Sequence, residues 1–223
     1  MAADPKGLAW RLTERLTARS RSRRYELFMA HIQPQADESI LDVGITGSAW
    51  RSGNPLEARY PYPSRITAVS LQEAPSFRAE HPQVAVVIAD GRALPFPGDA
   101  FDIGFSNAVI EHVGSRQEQR RFVAELVRTC RRVMIATPNA AFPIDPHTLL
   151  PIVHWLPRGL RHRLLRATGN GKWVSEERLN PLAAGQLRSL FPLDVPVRIV
   201  RQRLMGLTTV LLAVADRRGG QGS

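Results

Sequence analysis

Acidic, amide and glycine residues recur at the ends of short apolar runs along this chain of 223 residues. They are Asp42 and Gly44, Gln72 and Glu73, Asp90 and Gly91, and Ser106 and Asn107, with Thr137-Pro-Asn139 closing a fifth run. Carboxylates and amides accept hydrogen bonds from ribose hydroxyls and from an amino group, and glycine lets the backbone approach a ligand closely. Together these residue types suit a nucleoside ligand. Groups able to move a proton stand nearby: Glu111 and His112 follow the fourth run, and His147 and His154 come later. Such a base is useful where an acceptor hydroxyl must lose its proton. His147 and His154 are seven apart with Pro151 between them, which is not a metal-ligand spacing, so no metal is expected.

The elements that must position these residues are legible in outline. Five apolar runs, 39–43, 65–71, 84–88, 101–105 and 132–136, read as strands. They are continuous rather than alternating, as strands buried on both faces of a parallel sheet are. Helical segments fall between some of them. The best covers 115–129, where Ser115 and Glu118 predict a capping box and Phe122/Leu126 and Val123/Val127 stack one turn apart. Two last runs, 195–200 and 207–215, predict an antiparallel pair. The expected fold is Rossmann-like α/β: a doubly wound, mostly parallel seven-stranded sheet with an antiparallel last strand and an N-terminal helical cap. In such sheets the ligand lies across the carboxyl ends of the strands, where the residues above collect.

The cap is expected over 1–35, with Asp4-Pro5 starting a helix, Leu8, Leu12 and Leu16 forming one stripe, a basic bend from Arg19 to Arg24, and a second helix over 25–32. The main domain is expected over 36–216 with a helical and loop-rich insertion at about 140–175, and 217–223 reads as a flexible tail. The insertion, with Trp155 and Leu156 before a run of arginines, reads as a lid or a flap packing those two residues on the core. Peripheral membrane contact is the weaker reading, since Pro157 interrupts any long amphipathic helix.

Three segments, Ile40-Leu-Asp-Val-Gly44, Ala89-Asp-Gly-Arg-Ala-Leu-Pro-Phe96 and Phe101-Asp-Ile-Gly-Phe-Ser-Asn-Ala-Val-Ile-Glu-His-Val113, stand in the order found in one family. In them the chain resembles class I S-adenosylmethionine-dependent methyltransferases, in particular methyltransferase type 11. The resemblance implies a cofactor, S-adenosylmethionine, with Asp42 and Gly44 at its methionine end. It further implies Gln72, followed by Glu73, at the ribose diol, Asp90 and Gly91 at the adenine, and Ser106 and Asn107 beside the sulfonium. Glu111, His112 and His147 are the candidate catalytic residues. The family's glycine-rich loop is altered: Asp42-Val-Gly-Ile-Thr-Gly-Ser48 keeps its first glycine in register, with Thr46 and Ser48 in place of the others. Asp42 and Gln72 are thirty residues apart (72 − 42), against an interval of about twenty in related folds.

The implied activity is methyl transfer to a small molecule, a saccharide or lipid precursor among them. The alternative is a non-catalytic binding or scaffold protein whose altered loop no longer holds the cofactor. The formal charge of +10, carried almost wholly by arginine, also raises nucleic acid as a partner. The chain has neither the Asn/Asp-Pro-Pro-Tyr/Phe signature nor a recognisable RNA module, so nucleic acid is not expected. Cys130 is the one cysteine, inside an apolar pattern, and reads as a core filler in a reducing cytoplasm. No stretch has the signal-peptide or membrane-span pattern, so a cytoplasmic location is expected.

Overall fold

The computed structural model describes residues 8–45, 54–144, 150, 152–171, 174 and 179–218. In chain order the elements are α1 (Leu8–Ile32), β1 (Ile40–Val43), α2 (Pro55–Arg59), β2 (Ile66–Ser70), α3 (Pro75–Glu80), β3 (Ala85–Ile88), β4 (Phe101–Asn107), α4 (Arg116–Thr129), β5 (Cys130–Pro138), α5 (Arg158–Ala167), α6 (Ala184–Arg188), β6 (Val197–Leu204) and β7 (Leu207–Asp216). The strands form one seven-stranded sheet in the order β3-β2-β1-β4-β5-β7-β6. β1 to β5 pair in parallel, and β7 runs antiparallel to both β5 and β6. This is the expected fold, with the strand order reversing between β1 and β4.

Each face of the sheet carries its own core. Ile40, Ile103, Phe105, Met134 and Leu212 point to the face covered by α1, α2 and α3. Leu41, Val43, Val133, Ile135, Leu211 and Ala213 point to the face covered by α4 and α6. Successive strand residues alternate faces, so an unbroken apolar run is what a strand buried on both sides requires. β3 is an edge strand, and its four residues are intermediate or exposed despite their apolar character. Cys130 is fully buried, and burial pushes its thiol up to about 12.

Several expectations are corrected. α1 is one continuous helix through the arginine-rich stretch, where a bend was expected: 19–24 contains only Arg, Ser and no Gly or Pro, and these types continue a helix at modest cost. Its C-terminal half packs Tyr25, Phe28 and Ile32 on the sheet, with Phe28 edge-to-face on Phe105 at 5.0 Å between centroids. The capping box at α4 is half made. The Ser115 hydroxyl accepts from the Glu118 amide, but the Glu118 carboxylate is held by Arg92 and Arg121. β4 and β5 each extend two residues past the expected ends. In the insertion Val153 and Leu165 make the core contact, whereas Trp155 stands half-exposed with its indole N–H on the Ala140 carbonyl. Pro55 starts α2 and the Tyr-Pro-Tyr-Pro segment ends it after five residues, as expected of residues that interrupt a longer helix.

Candidate functional site

At the switch point the carboxyl ends of β1, β2 and β3 enclose a cleft of about 320 Å³. Gly44, Gln72, Glu73, Asp90 and Gly91 all line it, so five residues singled out in the sequence meet at one place. The chain leaving β1 is tied to β2, because the Gly44 and Ile45 amides both donate to the Val69 carbonyl. Gly44 has φ +102°, and a Cβ there would lie 2.2 Å from a Val109 methyl carbon. Both the backbone and the space therefore require glycine. At Gly91 a Cβ would stand 2.5 Å from the Phe122 ring, so this glycine lets the third strand end settle onto α4. The apolar walls, Val43, Val69, Val109, Val113 and Phe122, were not foreseen as site residues. They come from the ordinary core pattern, which in sequence cannot be told from packing.

The polar side chains differ in what they offer. Gln72 and Glu73 are exposed at the lip of the cleft. Asp90 is gripped by Arg92, whose Nε lies 3.0 Å from both carboxylate oxygens and whose Nη2 lies 2.6 Å from Oδ2. Those hydrogen bonds hold the Asp90 carboxyl below its ordinary value. Arg92 also pairs with Glu118 on α4, twenty-six residues further on, a contact that only the fold creates. Leu71, 72% exposed, lines the cleft beside Gln72.

Asp42, Ser106 and Asn107 do not line that cleft. Asp42 follows Leu41 onto the opposite face and is buried against Glu57 of α2, itself buried. Burial pushes the Asp42 carboxyl well above its ordinary value, and the neighbouring Glu57 pushes it further. Neither Glu57 oxygen meets a protein N–H or O–H donor, so the two carboxyls can hydrogen-bond only when one of them is protonated. The Ser106 hydroxyl is fully buried and donates to the Val43 carbonyl at 2.9 Å, joining β4 to β1. Asn107 accepts from Nη1 of the buried Arg24 on α1. Burial, and then the charge of Arg21, lower Arg24 to about 10, while Glu111 opposes the shift.

The turn after β4, a single 3-10 turn over Ile110–His112, carries Glu111 and His112. Glu111 is fully buried, accepting from Thr137 Oγ1 at 2.9 Å, and its other oxygen lies 4.0 Å from His112 Nε2. His112 is about one-third exposed, so the pair reaches from the core to the surface. Two residues the sequence reading passed over hold this turn. The buried Gln119 amide donates to the Ile110 and Asn180 carbonyls, and Asn180 donates to the carbonyls of Glu111 and Gly114. His147 and the loop residues Thr46, Gly47 and Ser48 lie outside the described residues.

Residues 41–133, from β1 into β5, match the model of a methyltransferase domain family, type 11. A comparison with curated proteins finds no match. Solved structures share the fold across nearly the whole chain. Geranyl diphosphate C-methyltransferase from Streptomyces coelicolor A3(2), solved with S-adenosyl-L-homocysteine, superposes with TM-score 0.59 at 15% identity, covering 96% of this chain and 86% of that one. N-methyltransferase NodS from Bradyrhizobium japonicum WM9, also solved with S-adenosyl-L-homocysteine, gives TM-score 0.57 at 13% identity, covering 96% and 92%. Burkholderia thailandensis 1,6-didemethyltoxoflavin-N1-methyltransferase gives TM-score 0.54 at 17% identity, covering 89% and 77%. The segment 41–133 is thus similar to a type 11 methyltransferase domain, and the order of the sheet is that of the class I methyltransferase fold shared with these solved structures.

Proposed function

We propose that this protein transfers a methyl group from S-adenosylmethionine to a small-molecule acceptor, with saccharide and lipid precursors the acceptor classes to test first. The observation that carries the reading is the convergence of Gly44, Gln72, Glu73, Asp90 and Gly91 on one cleft at the switch point. Its volume of about 320 Å³ sits at the small end of ligand pockets, as an adenosine-sized occupant requires. Similar folds act on compact acceptors: one is named for geranyl diphosphate and another for 1,6-didemethyltoxoflavin.

In this reading Gln72 and Glu73 accept from the ribose hydroxyls, the Asp90–Gly91 turn faces the adenine, and the Gly44 backbone lies along the methionine end. Asp42 and Glu57, buried on the other face of β1, act on that end through the position of the strand and not by direct contact. When bound, the cofactor supplies an electrophilic methyl group on a sulfonium. The protein's contribution is then largely to hold an acceptor in line and keep water out. For an acceptor hydroxyl, His112 takes the proton and the Glu111 carboxylate stabilises the imidazolium that results. Asn107, held by Arg24, borders the same end of β4, and Ser106 acts by fixing β4 against β1.

Thermal denaturation with S-adenosylhomocysteine tests the proposal. At about one hundred times its dissociation constant, a specific ligand adds about 2.7 kcal/mol. At about 2–4 °C per kcal/mol for a chain of this size, Tm should rise by roughly 5–10 °C. NAD and ATP should leave it unchanged. An unmoved Tm at saturating S-adenosylhomocysteine would instead support the non-catalytic binding protein.

A further inference from the structure

We propose that the rim of the sheet beside the β6–β7 hairpin is a docking surface for anionic lipid bilayers. The hairpin turns through Met205 and Gly206, both at positive φ, +49° and +83°. Such a two-residue turn favours Asn-Gly, because both central residues adopt left-handed backbone. Here the first is a methionine that is 96% exposed, flanked by Leu204 at 49% and Leu207 at 54%. Folding asks for none of this: asparagine would suit the turn better, and polar residues would suit the water. A second bulky residue shows the same pattern. Ile152 has φ +51°, in a region β-branched residues rarely enter, and is 47% exposed.

The two apolar sites belong to one rim. Asn139, just past β5, donates through its backbone to Thr209 and through its side chain to Thr208, at the base of the hairpin. The next residue, Ala140, receives the indole N–H of Trp155, and the Ile152 amide donates to the Pro143 carbonyl. The hairpin tip and the Ile152–Trp155 turn therefore hang from the same short segment at the carboxyl ends of β4 and β5. Exposed aliphatic side chains with an indole that keeps its polar edge bonded are the composition of a surface that enters a lipid interface.

The charge around this rim selects the lipid. Arg201 and Arg203 line a groove of about 460 Å³ with Arg23 of α1, directly behind the hairpin tip. The sequence has no Asp or Glu from 195 to 215, nor from 146 to 175, and Arg163 and Arg166 of α5, the helix that follows the Ile152–Trp155 turn, are exposed. An arginine belt behind a protruding apolar tip complements an anionic bilayer. Nucleic acid would satisfy the arginines but not the tip. Among the described residues no helix is long and apolar enough to cross a membrane, so the contact is peripheral. The proposal does not depend on methyl transfer, and its test reads binding alone.

Flotation of the full chain with vesicles of equimolar phosphatidylglycerol and phosphatidylcholine is the test, with pure phosphatidylcholine vesicles beside it. The chain should float with the anionic vesicles and stay behind with the neutral ones. Met205→Asn keeps the turn and leaves Tm unchanged or higher, yet should weaken partitioning about tenfold, the scale of one buried methionine side chain. Arg201→Ala with Arg203→Ala should weaken it about 25-fold, at roughly fivefold per arginine. Failure of the wild-type chain to float with anionic vesicles overturns the proposal. So does flotation that survives Met205→Asn in full, since the arginines would then be binding polyanions in general, RNA included.

Discussion

At the scale of single residues, the buried pair Asp42 and Glu57 makes the sharpest statement. Asp42 has a folded-state pKa above its ordinary value, through burial and then Glu57. From the ordinary carboxylate range up to that raised value the folded chain keeps a proton that the unfolded chain has released, so stability falls as pH rises through the window. Glu57→Gln removes one of the two charges and supplies an N–H donor to the other. Its Tm should exceed that of the wild type at pH 8, by about 2–4 °C for each kcal/mol relieved, and the gain should vanish near pH 4. A wild-type Tm flat across this range in paired melts would remove the shared-proton reading. Gly44 offers a steric counterpart. Gly44→Ala meets both a left-handed φ and the Val109 methyl at 2.2 Å, and should cost about 2–4 kcal/mol. Adding Val109→Ala should restore the steric part and leave the backbone part, which urea midpoints can separate. Gly44 was legible because a glycine after an apolar run announces itself. Glu57 was not: in sequence it is an acidic residue in the first turn of a short helix, and only the fold brings it to Asp42.

At the scale of elements, strands were easier to read than the turns between them. Burial on both faces writes itself into β1, β2, β4, β5 and β7 as runs with apolar residues on both faces, whereas the ends of β4 and β5 drifted by two residues because pairing with neighbours, rather than composition, decides where a strand stops. The bend expected in α1 failed for a related reason: a cluster of arginines looks like a loop, but helix continuity needs only the absence of Gly and Pro and a face to pack. The turn after β4 shows what sequence reading misses. Glu111 and His112 were visible as titratable residues, but their scaffold, Gln119 and Asn180, reads as two unremarkable amides. Gln119→Ala leaves the Ile110 and Asn180 carbonyls without their buried donor and should destabilise the chain by about 2–3 kcal/mol. A urea midpoint equal to that of the wild type would show that the turn holds itself.

At the scale of the whole molecule, the cleft lined by Gly44, Gln72 and Asp90, the turn that carries Glu111 and His112, and the apolar rim at the β6–β7 hairpin share the carboxyl edge of the sheet. The sequence order of the strand-end residues made the cleft readable, since a parallel doubly wound sheet must gather those ends on one edge. The rim was hidden, because its apolar residues come from a hairpin tip and an insertion far apart in sequence. Titration calorimetry with S-adenosylhomocysteine on the wild type, Gln72→Ala and Ser106→Ala tests the central claim most directly. Saturable binding of one ligand per chain is predicted, weakened about tenfold by Gln72→Ala through the loss of a ribose contact, and little changed by Ser106→Ala, whose hydroxyl faces Val43. Absence of binding by the folded wild-type chain, or affinity lost with Ser106→Ala and kept with Gln72→Ala, would contradict it.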